Sequence, residues 1–358
     1  MQVFSLTLES SQILKAPINR QVERSGFTIV EILVVIGIIG VLVSLILPAV
    51  MSARGAARRL ECESRIRQFG LALHNFESNH GHLPYGTIFR DLESGGTDWI
   101  STQVQLLPHL EQSAAFQKLT SGPRLGLTGP EMTLRIPVFH CPDEPVAVGV
   151  SYRTCSGAHA GYYDYPYDQH RGTLSTGFGA LPGSCSLKPI RMADIQDGLS
   201  QTAAMSERTI SPGPGSAFDR HHDVWFSAVS TLGFDVDQRT TDEAVNVCKS
   251  LTGTPTSSYS PFAGRNVIED GFVYTAYNHA LPPNSSIPHC TMGVLALPPA
   301  HAWLTTGTAA VVGARSNHHD RTVCVLLMDG SVRVVTPEVD LAAWRALASR
   351  QDGDRALE

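Results

Sequence analysis

The sequence has no basic surplus: 27 Lys and Arg stand against 33 Asp and Glu, a formal net charge of −6. That balance supplies no cationic face of the kind nucleic-acid binding needs. The seven cysteines, Cys62, Cys141, Cys155, Cys185, Cys248, Cys290 and Cys324, include no C-x-x-C pair, which excludes a zinc knuckle and a thioredoxin-like redox motif. There is no G-x-S-x-G elbow, P-loop, dinucleotide fingerprint or H-E-x-x-H, and no internal repeat. The expectation is a chain that is not an enzyme and carries no cofactor.

The 358 residues are 42% hydrophobic, enough for one large core or two modest ones and too apolar for a disordered chain. The 31 Gly and 22 Pro point to a turn-rich body rather than a helical bundle. In an oxidising compartment some of the cysteines pair, and their odd number leaves at least one unpaired within a single chain. Burial as small apolar residues explains them equally well.

Residues 1–26 are polar, with Lys15, Arg20 and Arg24, and then Phe27 to Val50 forms a long apolar run. As a helix that run spans about 36 Å at ~1.5 Å per residue. A bilayer's hydrocarbon core is roughly 30 Å thick, so the segment is predicted to enter a membrane. Glu31 is out of place in it, since a charge at the centre of a membrane helix costs roughly 2.5–3.5 kcal/mol and somewhat less toward the ends. Cleavage between Gly26 and Phe27 would create an amine at a similar depth. Another copy, shifted along its helix, could then pair that amine with Glu31.

Gly26-Phe27-Thr28-Ile29-Val30-Glu31 and the apolar run resemble the cleavage and methylation signal of type IV pilins and type II secretion pseudopilins. The resemblance implies a prepilin peptidase that cuts after Gly26 and methylates Phe27, with Glu31 aligning subunits during assembly. The implied partners are that peptidase, other pilin-like subunits or further copies, and membrane lipid. The implied location is the cytoplasmic membrane, single-pass, with the C-terminal domain exported to the periplasm or beyond. The leader is long and includes Glu9 and Glu23, which points to a true start further along. Arg54, Arg58 and Arg59 after the run oppose export on a simple positive-inside count, and the resemblance outweighs them.

The expected organisation is a leader at 1–26, a transmembrane helix at 27–50, an amphipathic continuation at 51–80, and an exported domain at 81–350. The continuation rests on Cys62, Ile66, Phe69, Leu73 and Phe76, which form one stripe at helical spacing, with Asn79-His80-Gly81 as the stop. Gly40 and Pro48 are places for it to loosen. Val104 to Gln112 leads into a short helix ending near Leu119, and Leu341 to Leu347 reads as another. Val323–Met328 and Ser331–Thr336 flank Asp329-Gly330, predicting a hairpin over 323–336 with a two-residue type I′ turn. The fold class is α+β, with a long N-terminal helix packed on a mostly antiparallel sheet with long loops, as in pilins. Residues 211–300 are the least readable stretch.

The body resembles an abundant bacterial family of unknown function that joins a prepilin-type N-terminus to an exported domain, sometimes labelled solute-binding. The matching pieces are Ala56–Arg59, Leu71–Asn75, His80–Pro84, Phe139–Asp143, and Ile195–Thr202 with Asp197, Gly198 and then Glu207. Nine residues separate His319 from Asp329-Gly330, matching the family's H-x9-D-G signature. Asp320-Arg321-Thr322 replaces the usual Pro-Gly-Gly, and Gln201 replaces an asparagine. For His319 and Asp329 a structural role in the hairpin is preferred to catalysis or metal binding. His318-His319-Asp320 and His221-His222-Asp223 are candidate metal clusters, although neighbours on a strand point to opposite faces. Asp197 with Glu207 is a weaker candidate for calcium. The functional expectation is a structural or assembly subunit of a pilus-like or secretion filament. The alternatives are a singly anchored module binding a solute or polymer, and a metal-dependent hydrolase built on His319 or His221.

Overall fold

The computed structural model describes residues 28–84, 100–121, 134–158, 160, 190–227, 238–252, 259–268, 271–292 and 309–350. The leader, Gly26, Phe27 and Cys185 lie outside these residues. In chain order the elements are α1 (Ile29–His80), α2 (Thr102–Leu106), α3 (Ser113–Thr120), β1 (Tyr152–Cys155), β2 (Ala203–Glu207), β3 (Val224–Ser227), α4 (Gln238–Ser250), β4 (Tyr259–Ser260), β5 (Ala276–Tyr277), β6 (Cys290–Met292), β7 (Ala309–Val311), β8 (Val323–Leu327), β9 (Val332–Val335) and α5 (Leu341–Ala346).

α1 is a single helix of 52 residues that runs through Pro48. The described residues 28–52 belong to one compact unit and those from Ala53 to a second. In the first unit the apolar side chains from Ile29 to Met51 are exposed, and the segment is long and apolar enough to cross a bilayer. The helix begins at a local cap. Thr28 donates to Glu31 Oε2 from its amide and from its hydroxyl, both at 2.8 Å.

In the second unit the predicted stripe is buried. Cys62, Ile66, Phe69, Leu73 and Phe76 all face the core. Gly81 ends the helix with φ 73°, its amide donating to Glu77 O at 2.7 Å.

Among the described residues the body holds two mixed sheets, one ordered β5-β1-β2-β8-β9 and one β4-β3-β6-β7. Of the strand pairs described, only β1–β5 and β3–β6 are parallel. The fold is α+β, as the sequence implied. β8 shows how alternation builds the core, because every residue in it is buried. Cys324 and Leu326 join the cluster that contains the α1 stripe. Val323, Val325 and Leu327 face the opposite way, toward Trp344 and Leu347 at α5. The five-stranded sheet is therefore covered by α1 on one face and by α5 on the other. In the second sheet Trp225, Cys290 and Val311 pack with Ala244 and Cys248 of α4.

The hairpin forms, but its turn is not the two-residue type I′ expected. Gly330 N–H donates to Leu327 O at 3.0 Å, and Leu327 N–H donates to Ser331 O at 2.8 Å. Of Asp329 and Gly330 only the glycine has positive φ, at 84°. This is a type I turn closed by a glycine bulge, so Asp329 is spared the left-handed region a type I′ turn would demand. Asp329 instead uses Oδ1 to accept Ser331 N–H at 2.9 Å and Ser331 Oγ–H at 2.6 Å.

Among the described residues there are two disulfides, Cys62–Cys141 and Cys248–Cys290. Cys155 and Cys324 are free and buried.

Candidate functional site

A cluster of buried polar side chains lies where β2 ends, beneath the second half of α1. Glu207 closes β2, and its pairing opposite Tyr152 places it inside the sheet. Its Oε2 accepts the amide of Cys324 in β8 at 2.8 Å. His318 arrives on the segment that leads into β8, with its side chain 2% exposed. His318 Nε2 sits 3.1 Å from both Glu207 oxygens, and Nδ1 sits 2.6 Å from Asp143 Oδ2. Asp143 follows Cys141-Pro142 in the short loop after a single helical turn at Pro137–Phe139. Arg58 of α1 donates to the other oxygen of Asp143, so the chain of contacts runs from helix to sheet.

Burial works against a charged His318, but the hydrogen bonds and charges of Glu207 and Asp143 outweigh it and raise the pKa to about 9. At neutral pH the site is an imidazolium held between two carboxylates. The Cys62–Cys141 disulfide lies against it. Both sulfurs, a Glu207 oxygen and a His318 ring nitrogen fall within 4.8 Å of one another. Tyr152 caps the helix side by donating its hydroxyl to Cys62 O at 3.3 Å.

The loop carrying His318 is held from several sides. Ser316 N–H donates to Asn284 Oδ1 at 2.9 Å, Asn317 Nδ2 to Glu144 Oε2 at 3.2 Å, and Thr322 Oγ1–H to Asp320 Oδ1 at 2.8 Å. Arg321 takes φ 57°, and Asp320 is tied to Arg59 of α1.

The residues singled out in the sequence are placed unevenly. His319 is exposed in a turn with Asp320, and the neighbouring His318 is the buried histidine. Asp329 and Gly330 lie at the hairpin turn, and the Asp197-Gly198 stretch packs directly on it. Asp329 N–H donates to Leu199 O at 3.1 Å and Met328 N–H to Thr202 O at 2.9 Å. These signature residues form one backbone corner. Glu207 is engaged with His318 and Cys324, and the described metal-type donor group around it does not include Asp197. His221 and His222 stay in contact, ring centroids 5.2 Å apart and edge to face, but their ring nitrogens take different partners. His221 Nε2 is 3.2 Å from Ser316 O, whereas His222 Nδ1 is 2.9 Å from Asp219 Oδ2.

Sequence reasoning missed the conjunction of Cys62, Cys141, Asp143, Glu207 and His318. Its signals were available separately: a cysteine on the buried stripe, a Cys-Pro-Asp loop, and a second histidine beside the one that fits the spacing. Among the described residues three fully buried arginines, Arg153, Arg208 and Arg315, were also missed. Arg153 and Arg208 both donate to Thr209 O, at 3.2 and 3.3 Å, and Arg315 donates to Ser285 O and Ile287 O at 2.9 and 2.6 Å. Arg153 and Arg315 tie distant segments together through backbone carbonyls, and Arg208 reaches across to the His289 ring at 3.1 Å.

All five residues fall inside residues 51–342, which match the model of a family described as a protein of unknown function, DUF1559. The chain belongs to the DUF1559 family. The match begins after the apolar run, so the DUF1559 region comprises the second half of α1, both sheets and the start of α5. No curated protein and no solved structure matches the chain.

Proposed function

We propose that this DUF1559 chain is a membrane-anchored, pseudopilin-like subunit with a structural role in a pilus-like or type II secretion filament. In this reading prepilin peptidase cuts after Gly26 and methylates Phe27. The apolar half of α1 then holds the subunit in the cytoplasmic membrane, with residues from about 81 onward exported as the α+β domain. The observation that carries the reading is α1 itself, one helix that is apolar and exposed from Ile29 and contributes a buried stripe from Cys62 onward. A single element thus combines the two features that a pilin-type helix requires, which supports the reading.

Glu31 gives further support. Thr28 satisfies Oε2 twice, and among the described residues Oε1 accepts no hydrogen bond. That oxygen suits a cation brought by another copy, the new α-amine of Phe27.

Mass spectrometry of the protein extracted from its native membrane tests the reading. The expected N-terminal peptide begins at N-methylated Phe27. A native chain that keeps the residues before Phe27 rejects it. In the same preparation, Glu31→Ala is expected to remain in the membrane and to lose most of its crosslinking to neighbouring subunits. Equal crosslinking in wild type and variant removes the assembly role of Glu31.

A further inference from the structure

The disulfide Cys62–Cys141 occupies two corners of a four-donor set. Its sulfurs, a Glu207 oxygen and a His318 nitrogen lie within 4.8 Å of one another, and all four residues are buried. The groups around this set are arranged as they are around metal ligands. Asp143 is 2.6 Å from His318 Nδ1, which holds a proton there and turns Nε2 toward Glu207. Metal-bound histidines almost always donate their second N–H to a carboxylate, carbonyl or water. Glu207 is oriented in turn by the Cys324 amide at 2.8 Å, and Asp143 by Arg58. A buried ion pair accounts for the histidine and the carboxylates. It gives no reason for two cysteine sulfurs at the same point.

We propose that Cys62, Cys141, Glu207 and His318 form a redox-gated site for zinc(II) or a similar divalent ion. The oxidised protein carries the disulfide, and the reduced protein carries a tetrahedral centre with two sulfur ligands, one nitrogen and one oxygen. Two thiolates, an imidazole and a carboxylate are a ligand set that zinc accepts. The interconversion balances. A dithiol reductant gives two electrons and two protons to the S–S bond, leaving Cys62 and Cys141 as thiols while it becomes a disulfide. The incoming ion then displaces both thiol protons and the Nε2 proton, and His318 keeps its Nδ1 proton on Asp143. This inference stands apart from the filament role and holds or fails without it.

The test uses the full chain in detergent, with cobalt(II) as a spectroscopic stand-in for zinc. One sample is left oxidised. The other is reduced with a phosphine, which leaves as its oxide with oxygen taken from water while the sulfurs take the water's protons. The reduced protein is expected to bind one cobalt ion per chain with thiolate-to-metal charge-transfer absorption, and zinc(II) is expected to bleach that signal. The oxidised protein is expected to show none. Asp143→Asn, which keeps all four ligands, is expected to weaken binding about 10- to 100-fold. Cys248→Ser is expected to leave the signal intact, which separates this site from the other reducible pair. Absence of thiolate absorption in reduced protein that circular dichroism shows to be folded overturns the proposal. So does a signal that survives His318→Ala, or a fold lost on reduction that zinc does not restore.

Discussion

His318 and His319 are adjacent and chemically identical, yet the fold gives them opposite fates. His318 is enclosed with Asp143 and Glu207, while His319 is exposed at the turn. Removing one partner from a buried charge cluster leaves the others uncompensated, at a cost of about 3–5 kcal/mol. His318→Asn is therefore expected to lower stability by that amount, measured by urea unfolding. His319→Asn is expected to stay within about 0.5 kcal/mol of wild type. Equal effects from the two substitutions would remove His318 from the centre of the site. The distinction was not legible in the sequence, because a spacing rule counts residues and does not say which of two neighbours turns inward. The Asp320–Thr322 turn, with Arg321 at positive φ, decides that. Glu207 was legible as a residue of note, but its partner was not, since 117 positions separate it from the Cys324 amide it accepts.

At the scale of elements, α1 was readable in two parts, its first half from the unbroken apolar run and its second from a buried stripe that keeps one helical period from Cys62 to Phe76. The hairpin was readable as a hairpin, since Asp-Gly sits between two β-branched runs, but the turn type was not. Type I with a glycine bulge and type I′ both accept that dipeptide, and the backbone bonds of Leu327 and Gly330 choose between them. The second sheet was invisible because β4 has two residues, β6 and β7 three each and β3 four, too short for alternation to register. The meeting of α1 with the hairpin gives a testable contrast between two glycines of one helix. A Cβ at Gly70 would stand 2.9 Å from Leu326 Cδ1 and 3.0 Å from Gly330 Cα, whereas one at Gly55 meets nothing within 4 Å. Alanine gains up to ~1 kcal/mol over glycine in a helix, and overpacking a core costs about 1–3 kcal/mol. Gly55→Ala is expected to raise the melting temperature slightly, and Gly70→Ala to lower it. A rise in both would show that the hairpin yields easily beneath the helix.

At the scale of the whole body, several histidines other than His318, among them His221, His279 and His289, are buried with burial favouring the neutral form, and this shapes how the fold responds to acid. His279 is fully buried and stacks on Trp344 with ring centroids 3.6 Å apart. Its Nδ1–H donates to Trp344 O, and its Nε2 accepts the Tyr277 hydroxyl at 3.0 Å, so one ring proton satisfies both neighbours. Burial pulls its pKa from 6.5 to about 3, and the Trp344 carbonyl offsets only part of that. His221 and His289 are lowered as well, again chiefly by burial, with Arg315 adding to it. A histidine whose folded pKa lies below its unfolded value takes up a proton more readily when unfolded. Its stabilising contribution is complete above pH 6.5 and is lost as pH falls from there toward 3. Each such group adds a slope of about 1.4 kcal/mol per pH unit inside its window. His279→Phe keeps the stack and gives up both hydrogen bonds, so it is expected to be less stable than wild type at pH 7. Between pH 6 and pH 4, taken as roughly the middle of the window, its loss of stability with acid should be shallower than that of wild type. Urea titrations of the two proteins at several pH values measure this directly. Parallel curves would mean that His279 is not held neutral inside the fold, and the acid response would then belong to other groups.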